Sequence, residues 1–558
     1  MIPVAYNDAV IRPAVSSEPS PIVFQNQWRD VFDGTLPEGW EPTKSVSVVI
    51  AAYNSATLPL TLASLAAQDY PQDLLEVVVV DDGSEPPVEL GDVVPENLRL
   101  IRVEEGWGRS NATDIGIKAT TGDIIYWVDS DMILFRDNVR QHAKWAHFIP
   151  EAATIGDKGF IESWDYTPET VYQKVLDGTI GDDYDRSTLH EHWSIQIYRD
   201  TDDLNASHGR NYSTHMGACA SVTREVYDRT SGQDTRLHLG EDTEIAYQLW
   251  QAGAVFIPVH EALTWHLGPG TVQNHAAKVA RVNDAHFAQR MPIPRYRRTS
   301  DNRIWEVPLV KVVVEVTPET AHLARNCVDR VLTSTLTDVH VLLVGPWSTL
   351  DEGRRKMLAD PRTELFLVQE WFRTDNRVLF AEEVPDTVFP APYRVDLPVT
   401  VGVTSDSLMQ MYRQIDGNRL GAVRYFTPGH TKDESVTIWD SAAVARSRRY
   451  LDGEAVLEDL VDRIWGFEWG SNDTAQLVDL READLSERVT RVEPGVARLE
   501  AEIAVLREVA EPASLPRQIA RRVNAMSGNR LAPAVRRVNA RLGGAPAAAL
   551  RRLRGILR

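Results

Sequence analysis

Asp123-Ile124-Ile125-Tyr126-Trp127-Val128-Asp129-Ser130-Asp131 is an apolar run that ends abruptly in two carboxylates. A strand covered on both faces has no polar side to show, so this run reads as a buried strand of a parallel sheet. Ligands of open α/β sheets bind at the carboxyl ends of such strands. Alternation along an extended chain would put Asp129 and Asp131 on one side. Two hard oxygen donors side by side suit Mg²⁺ or Mn²⁺, which in turn would hold a diphosphate. In so acidic a chain the same triplet also reads as a solvated strand end, so its neighbours must decide.

Upstream, Ser45-Val46-Ser47-Val48-Val49-Ile50-Ala51-Ala52-Tyr53-Asn54 is a strand leading into a turn of small residues. Leu58, Leu62 and Leu65 follow at helical spacing, and Tyr70-Pro71 ends that helix. Leu75 to Val80 is a second strand closed by Asp81-Asp82-Gly83-Ser84, Leu98 to Val103 a third, and Ser110 to Thr120 a helix. Strands and helices alternating at this rhythm predict an α/β fold with a doubly wound, mostly parallel sheet.

Val48-Val49-Ile50-Ala51-Ala52-Tyr53-Asn54, Val79-Val80-Asp81-Asp82-Gly83-Ser84 and Val128-Asp129-Ser130-Asp131 resemble motifs of the family 2 glycosyltransferases, nucleotide-sugar enzymes of the GT-A fold. A further block, Gly240-Glu241-Asp242-Thr243-Glu244, resembles that family's acidic acceptor motif. All four stand in the family's order between residues 45 and 270. The resemblance implies a metal-dependent, inverting transferase working from a nucleotide-diphosphate sugar, a UDP-sugar in our reading, with Mn²⁺ or Mg²⁺. Asp82 would accept hydrogen bonds from the base and ribose, or serve only as a turn residue. Ala52, Tyr53 and Asn54 would flank the base. Asp131, and Asp129 through ribose or water, would place the metal, with His266 as a third ligand or as an ordinary structural histidine. Asp242 would be the catalytic base, and Glu241 would orient its loop or touch acceptor. Both open a helix, where acidic residues also occur for stability alone. One departure stands out. Where the family has an arginine in Ala-Arg-Asn-x-Gly, this chain has Ala112-Thr113-Asp114-Ile115-Gly116, and Arg109, one turn earlier, is the candidate substitute.

Residues 151–239 read as inserted material forming the acceptor side, with His190-Glu191-His192 as a solvated loop or acceptor-side surface and His260 as a weaker ligand candidate. Residues 1–44 read as an arm docked by Trp28, Phe32 and Trp40, and 45–300 as the catalytic domain. A second unit, 301–480, repeats the opening rhythm with Gly345-Pro346-Trp347-Ser348 in place of Asp81 to Ser84. It shows no paired carboxylate around Val403 to Ser407 and only a faint acidic echo at Gly470 to Thr474. It is therefore expected to be a degenerate, silent GT-A-like copy that binds acceptor or braces the first. Leu485, Val489, Val492, Val496, Leu499, Ile503 and Leu506 form a short coiled-coil seam over 481–514, broken by Pro494-Gly495, which pairs with a second subunit or with the body.

The net charge is −21, yet 515–558 holds eleven arginines and no Asp, Glu or Lys. Such a tail lies on an anionic membrane face or is a disordered basic segment. It has no aromatic residue to stack on bases, which argues against nucleic acid. Two distant cysteines, Cys219 and Cys327, and no signal-like start point to the cytoplasm, with peripheral contact at the inner membrane face. The expected partners are thus a nucleotide-sugar donor and a cell-envelope or lipid-linked glycan acceptor. The competing reading is a non-catalytic scaffold of two such modules.

Overall fold

The computed structural model describes residues 22–481, apart from 208–209, 270, 299–302, 352, 354–355, 428–430, 432–433 and 454. The expected coiled segment beyond residue 481, the basic tail and the start of the arm lie outside the described residues.

The first sheet has eight strands: β1 Val46–Ala52, β2 Leu75–Asp81, β3 Leu98–Arg102, β4 Ile124–Val128, β5 Met132–Leu134, β6 Ala152–Ile161, β7 Cys219–Thr223 and β8 Val255–Leu267. Their order is β3-β2-β1-β4-β7-β6-β8-β5. The β3-β2-β1-β4 half is parallel. Its inner strands are buried almost throughout, which is why they read as apolar runs without alternation. Beyond β4 the sheet is mixed, because β7 runs antiparallel to both neighbours. Residues 151–239 are therefore not simply an insert: they supply β6 and β7, two central strands. The polar residues that disguise β7 are internally satisfied. Ser221 shares a 2.6 Å hydrogen bond with Thr154, and the Thr223 hydroxyl donates to the Pro150 carbonyl at 2.7 Å.

The second unit contains β9 Val310–Glu315, β10 Val339–Val344, β11 Val378–Ala381, β12 Tyr393–Asp396, β13 Val401–Gly402, β14 Ala422–Tyr425, β15 Val436–Asp440, β16 Phe467–Gly470 and β17 Val478–Asp479. Seven of these form a sheet in the order β11-β10-β9-β12-β15-β14-β16, and β13 pairs with β17. Each pairing has the sense of its counterpart in the first sheet, including the antiparallel β15. The expected second copy is present as topology.

Strand register also corrects the expected equivalences. Val46 pairs with Leu75 and Ile124, and Val310 with Val339 and Tyr393. Counting from those pairs, Pro346, Pro398 and Thr400 occupy the places of Asp82, Asp129 and Asp131. The carboxylate-poor stretch Val403 to Ser407 lies past that point. The echo at Gly470 to Thr474 follows β16, whereas the Asp242 helix precedes β8. The helix between β15 and β16 that opens on acids is Leu457–Ile464, with Glu458 and Asp459 in its first turn. Distance along the chain misled here because the β6–β7 connection is long and the β14–β15 connection short.

The helix Glu241–Gln251 lies where the two units meet. Tyr247, Leu249 and Trp250 share a core with Trp439, Ala442, Ala443 and Ile464, and the Tyr247 hydroxyl donates to the Pro390 carbonyl at 2.8 Å. Arg446 is fully buried at this seam. Its guanidinium donates to the carbonyls of Gly253 (2.8 Å), Ala254 (2.9 Å) and Val23 (3.3 Å), and also to that of Gln25. The arm is thus a strap over both units. Trp28 and Phe32 pack edge-on against Trp145 of the first, and the Gln25 backbone N–H donates to Ile464 of the second at 2.7 Å. Trp40 sits edge-on to His147.

Replacing Arg446 with methionine keeps most of the volume but orphans these buried carbonyls. Unpaired buried polar groups cost about 1–3 kcal/mol each, so a loss of about 3 kcal/mol or more is expected. It should appear as a clear fall in the thermal unfolding midpoint, and an unchanged midpoint would contradict the clamp.

Candidate functional site

The carboxyl ends of β1, β2 and β4 form one rim. Backbone bonds hold it together: Asp82 N–H donates to Ala52 at 2.9 Å, and Asn54 N–H to the Ser84 hydroxyl at 2.8 Å. Ser55 and Thr57 hydroxyls reach the Ser130 carbonyl at 3.2 and 3.0 Å. Tyr53 projects outward, 64% exposed. The two acids after β2 are divided in use. Asp81 is buried, pairs with Arg102 at 2.8 Å and accepts the Ser84 N–H, so it is structural. Asp82 faces the rim and accepts the Gly108 N–H at 2.8 Å. Burial raises its carboxyl above the usual range, with Gly108 opposing the shift.

β4 stops at Val128, and Asp129-Ser130-Asp131 is a turn into β5 rather than more strand. The two carboxylates therefore meet through the turn and not through extended alternation. Pairing of β5 with β8 brings Met132 opposite His266. Asp129, Asp131 and His266 each offer a ligand atom, all within 4.8 Å of one another. His266 Nε2 is 3.8 Å from Asp131 Oδ1, an oxygen that is buried without a hydrogen-bond partner among the described residues. Burial and then the Asp129 charge push the Asp131 carboxyl upward, opposed by His266 and Arg109. A buried acceptor left unpaired beside a second carboxylate and an imidazole is a donor set suited to a divalent cation. His260 is not part of it; it pairs with Asp203 at 2.9 Å.

The helix Glu241–Gln251 faces this cluster. Gly240 caps it with φ of 77°, where a side chain would also strike Asn283. Behind the first turn, Arg290 binds Glu244 at 2.9 Å and Asp234 at 3.3 Å, fixing the loop that delivers the helix. Asp242 is partly exposed and its Oδ1 accepts the Thr243 N–H at 2.7 Å. Glu241 is buried, which pushes its carboxyl up to about 7.

Arg109 joins the two halves. Its guanidinium pairs with Asp129 and lies 3.3 Å from Glu241. Burial works against its charge, but Asp129, Glu241, Asp242 and Asp131 outweigh burial and hold its pKa above normal. The arginine expected near the nucleotide thus lies between the two acid pairs. A hollow lined by Arg109, Trp127, His215, Gly217, Glu241 and Asp242 opens here. A Cβ on Gly217 would fall 2.8 Å from Arg109 Nη2, so only glycine leaves room for that bridge.

Several site residues have no local signal in the sequence. Lys158 on β6 lies close enough to Asp129 and Asp242 for both charges to act on it, while burial lowers its pKa. His192 lies with Lys158 at a second hollow rather than in a fully solvated loop; burial lowers His192 to about 3. Trp107, 64% exposed, stacks on His238 with ring centroids 3.7 Å apart and ties the Gly108 loop to the approach of the Asp242 helix. Both cysteines are free and buried. Cys219 lies beneath the site, 3.1 Å from the Tyr126 hydroxyl, its thiol raised by burial. Among the described residues no helix is long and apolar enough to cross a membrane.

Residues 47–229 match the family model described as glycosyl transferase family 2. The chain is 24% identical over 364 residues to a chondroitin synthase of Escherichia coli, covering 61% of this chain and 50% of that protein. It is 24% identical over 335 residues to a hyaluronan synthase of Pasteurella multocida, covering 54% and 33%. The chain thus spans half or less of these curated relatives. Among solved structures, a mannosyltransferase of Pyrobaculum calidifontis in complex with GDP-Man and Mn²⁺ aligns with a TM-score of 0.29 and 21% identity, over 49% of this chain and 67% of that one. The matched span holds the Asp82 and Asp129-to-Asp131 blocks and ends before Asp242, which the fold returns to them: the chain contains a family 2 glycosyltransferase domain.

Proposed function

We propose that this chain moves a sugar from a nucleotide-diphosphate donor, a UDP-sugar, to a glycan hydroxyl, with inversion and with Asp242 as the base. The observation that carries the reading is the bridge through Arg109. It links Asp129, of the Asp129, Asp131 and His266 cluster, to Glu241 at the start of the Asp242 helix. The names of the relatives support a polysaccharide acceptor, and the family resemblance supports inversion.

Asp82 and the Ala52-Tyr53-Asn54 rim hold the nucleoside end of the donor. Asp131, Asp129 and His266 would hold Mn²⁺ or Mg²⁺, which when bound would supply positive charge against the departing diphosphate. Asp242 then accepts the acceptor hydroxyl's proton on Oδ2, since Oδ1 is engaged by Thr243. The acceptor oxygen bonds to the anomeric carbon while the bond from that carbon to the diphosphate oxygen breaks. Glu241 holds Arg109, and Arg109 keeps four carboxylates tolerable at close quarters until donor arrives.

Transfer assayed over a panel of UDP-sugars with Mn²⁺ tests this reading. Asp242→Asn should lower turnover about 10²–10⁴-fold, the usual worth of a general base, and leave donor affinity nearly intact. Asp131→Asn should instead weaken metal-dependent donor binding. Wild-type turnover on Asp242→Asn would remove the assigned base.

Glu241 offers a check that needs no substrate. Its folded value of about 7 lies above that of an unfolded glutamate, about 4.3. Its contribution to stability is therefore fully present at low pH and is lost as pH rises through about 7. Glu241→Gln should flatten the metal-free protein's stability between about pH 5 and pH 8 by about 1–3 kcal/mol. Unfolding midpoints in the presence of a chelator measure this, and an unaltered slope would exclude a buried, proton-binding Glu241.

A further inference from the structure

The second sheet has lost the carboxylates of the first, yet the same end of it carries exposed aromatic rings. Phe426, just past β14, and Trp469 on β16 are 42% and 53% exposed. Their rings are stacked 4.8 Å apart at an interplanar angle of 5°, and Phe467 abuts Trp469 edge-on at 5.5 Å. Arg424, on the same pleat face, lies 5.8 Å from the Phe467 ring and 5.7 Å from the Trp469 ring. It is buried, with its guanidinium paired to Glu458, whose side chain keeps 33% of its surface open.

Three features set this cluster apart from scattered surface aromatics. First, it stands at the carboxyl ends of the parallel pair β14 and β16, the edge at which α/β sheets bind ligands. Second, register places Phe426 where Asp157 stands in the first sheet. Ala153 and Ala422 occupy equivalent positions on β6 and β14, each opposite the antiparallel strand and a parallel neighbour. Asp157 lines the hollow that holds Lys158 and His192. Third, Glu458, the acid of the pair beside the rings, comes from the helix Leu457–Ile464, the topological counterpart of the Asp242 helix. At this rim position the repeat has exchanged a carboxylate for an aromatic ring.

We propose that Phe426 and Trp469 form a carbohydrate-binding platform in the second unit, separate from the transfer site. The chemistry selects the ligand class. A pyranose has an apolar face of C–H groups and a rim of hydroxyls. The ring surface left open by the stack buries the first, and the partly exposed Glu458 carboxylate can accept hydrogen bonds from the second. A nucleic acid is disfavoured by the acidic body of the chain and by the engagement of Arg424 with Glu458. The occupant is a segment of the glycan that the first unit extends, so the identity of the occupant rests on the transferase reading, though the binding surface does not.

Titration calorimetry with three hexasaccharides, from hyaluronan, chondroitin and a neutral β-glucan, tests the platform. At least one should bind the full chain. Trp469→Ala and Phe426→Ala should each weaken that binding about tenfold, Trp469→Tyr should retain most of it, and the unfolding midpoint should not move, since both side chains are largely exposed. Asp242→Asn should bind as wild type does. If no hexasaccharide binds, or if Trp469→Ala binds as wild type does, the platform is refuted. Binding at the platform in a chain that transfers no sugar from any donor would refute the transferase reading alone.

Discussion

The helix that presents Glu241 and Asp242 packs its back on both units, sharing one core with Trp127, Tyr212 and Phe256 of the first and with Trp439 and Ile464 of the second. The geometry of the candidate site therefore depends on a packed seam between two sheets. Arg446 holds that seam by donating to carbonyls at the end of this helix and in the arm. A buried guanidinium is costly unless its donors are satisfied, and here the helix end and the strap satisfy them. The second unit is thus more than an appendage. It is the wall against which the candidate base is set, through Tyr247, Trp250 and their partners Trp439 and Ile464.

Electrostatics sets the other half of the site. Asp129, Asp131, Glu241 and Asp242 are close enough to act together on one guanidinium, and burial makes their mutual repulsion expensive. Arg109 is the compensating charge. Its room is guaranteed by Gly217, and its helix is moored by the Ser110 hydroxyl donating to Asp234 at 2.8 Å. The same Asp234 is held by Arg290, which also holds Glu244 at the start of the opposing helix. The Arg109 helix and the Asp242 helix thus share one network of charges.

The internal repeat separates architecture from chemistry. Two sheets with the same strand order and the same senses carry different residues at equivalent rim positions: Asp82 against Pro346, Asp129 against Pro398, Asp131 against Thr400. A fold of this kind imposes where a cleft forms, at the strand ends, but not what lines it.

Much was legible in the chain itself. Buried parallel strands such as Val46–Ala52 and Leu75–Asp81 leave continuous apolar runs, and their ends are marked by charged turns, so strand ends, the rim carboxylates and the start of the Asp242 helix could be named from local pattern. The second unit's opening strands were visible for the same reason. Residues whose role arises from pairing across long connections could not be named that way. β6 and β7 were hidden because their polar side chains are satisfied by one another, as with Thr154 and Ser221. Lys158, Gly217 and the Trp107–His238 stack carry no local signature. The meeting of Asp129 with Asp131 was anticipated for the wrong reason, since a turn and not strand alternation joins them. Local sequence sets which segments are strands, which ends are acidic and where a helix begins, because those depend on nearest neighbours along the chain. Tertiary structure alone decided that Glu241 shares Arg109 with Asp129 and which residues of the second unit brace the candidate base, because Arg109 with Glu241 and Trp250 with Trp439 are more than a hundred positions apart.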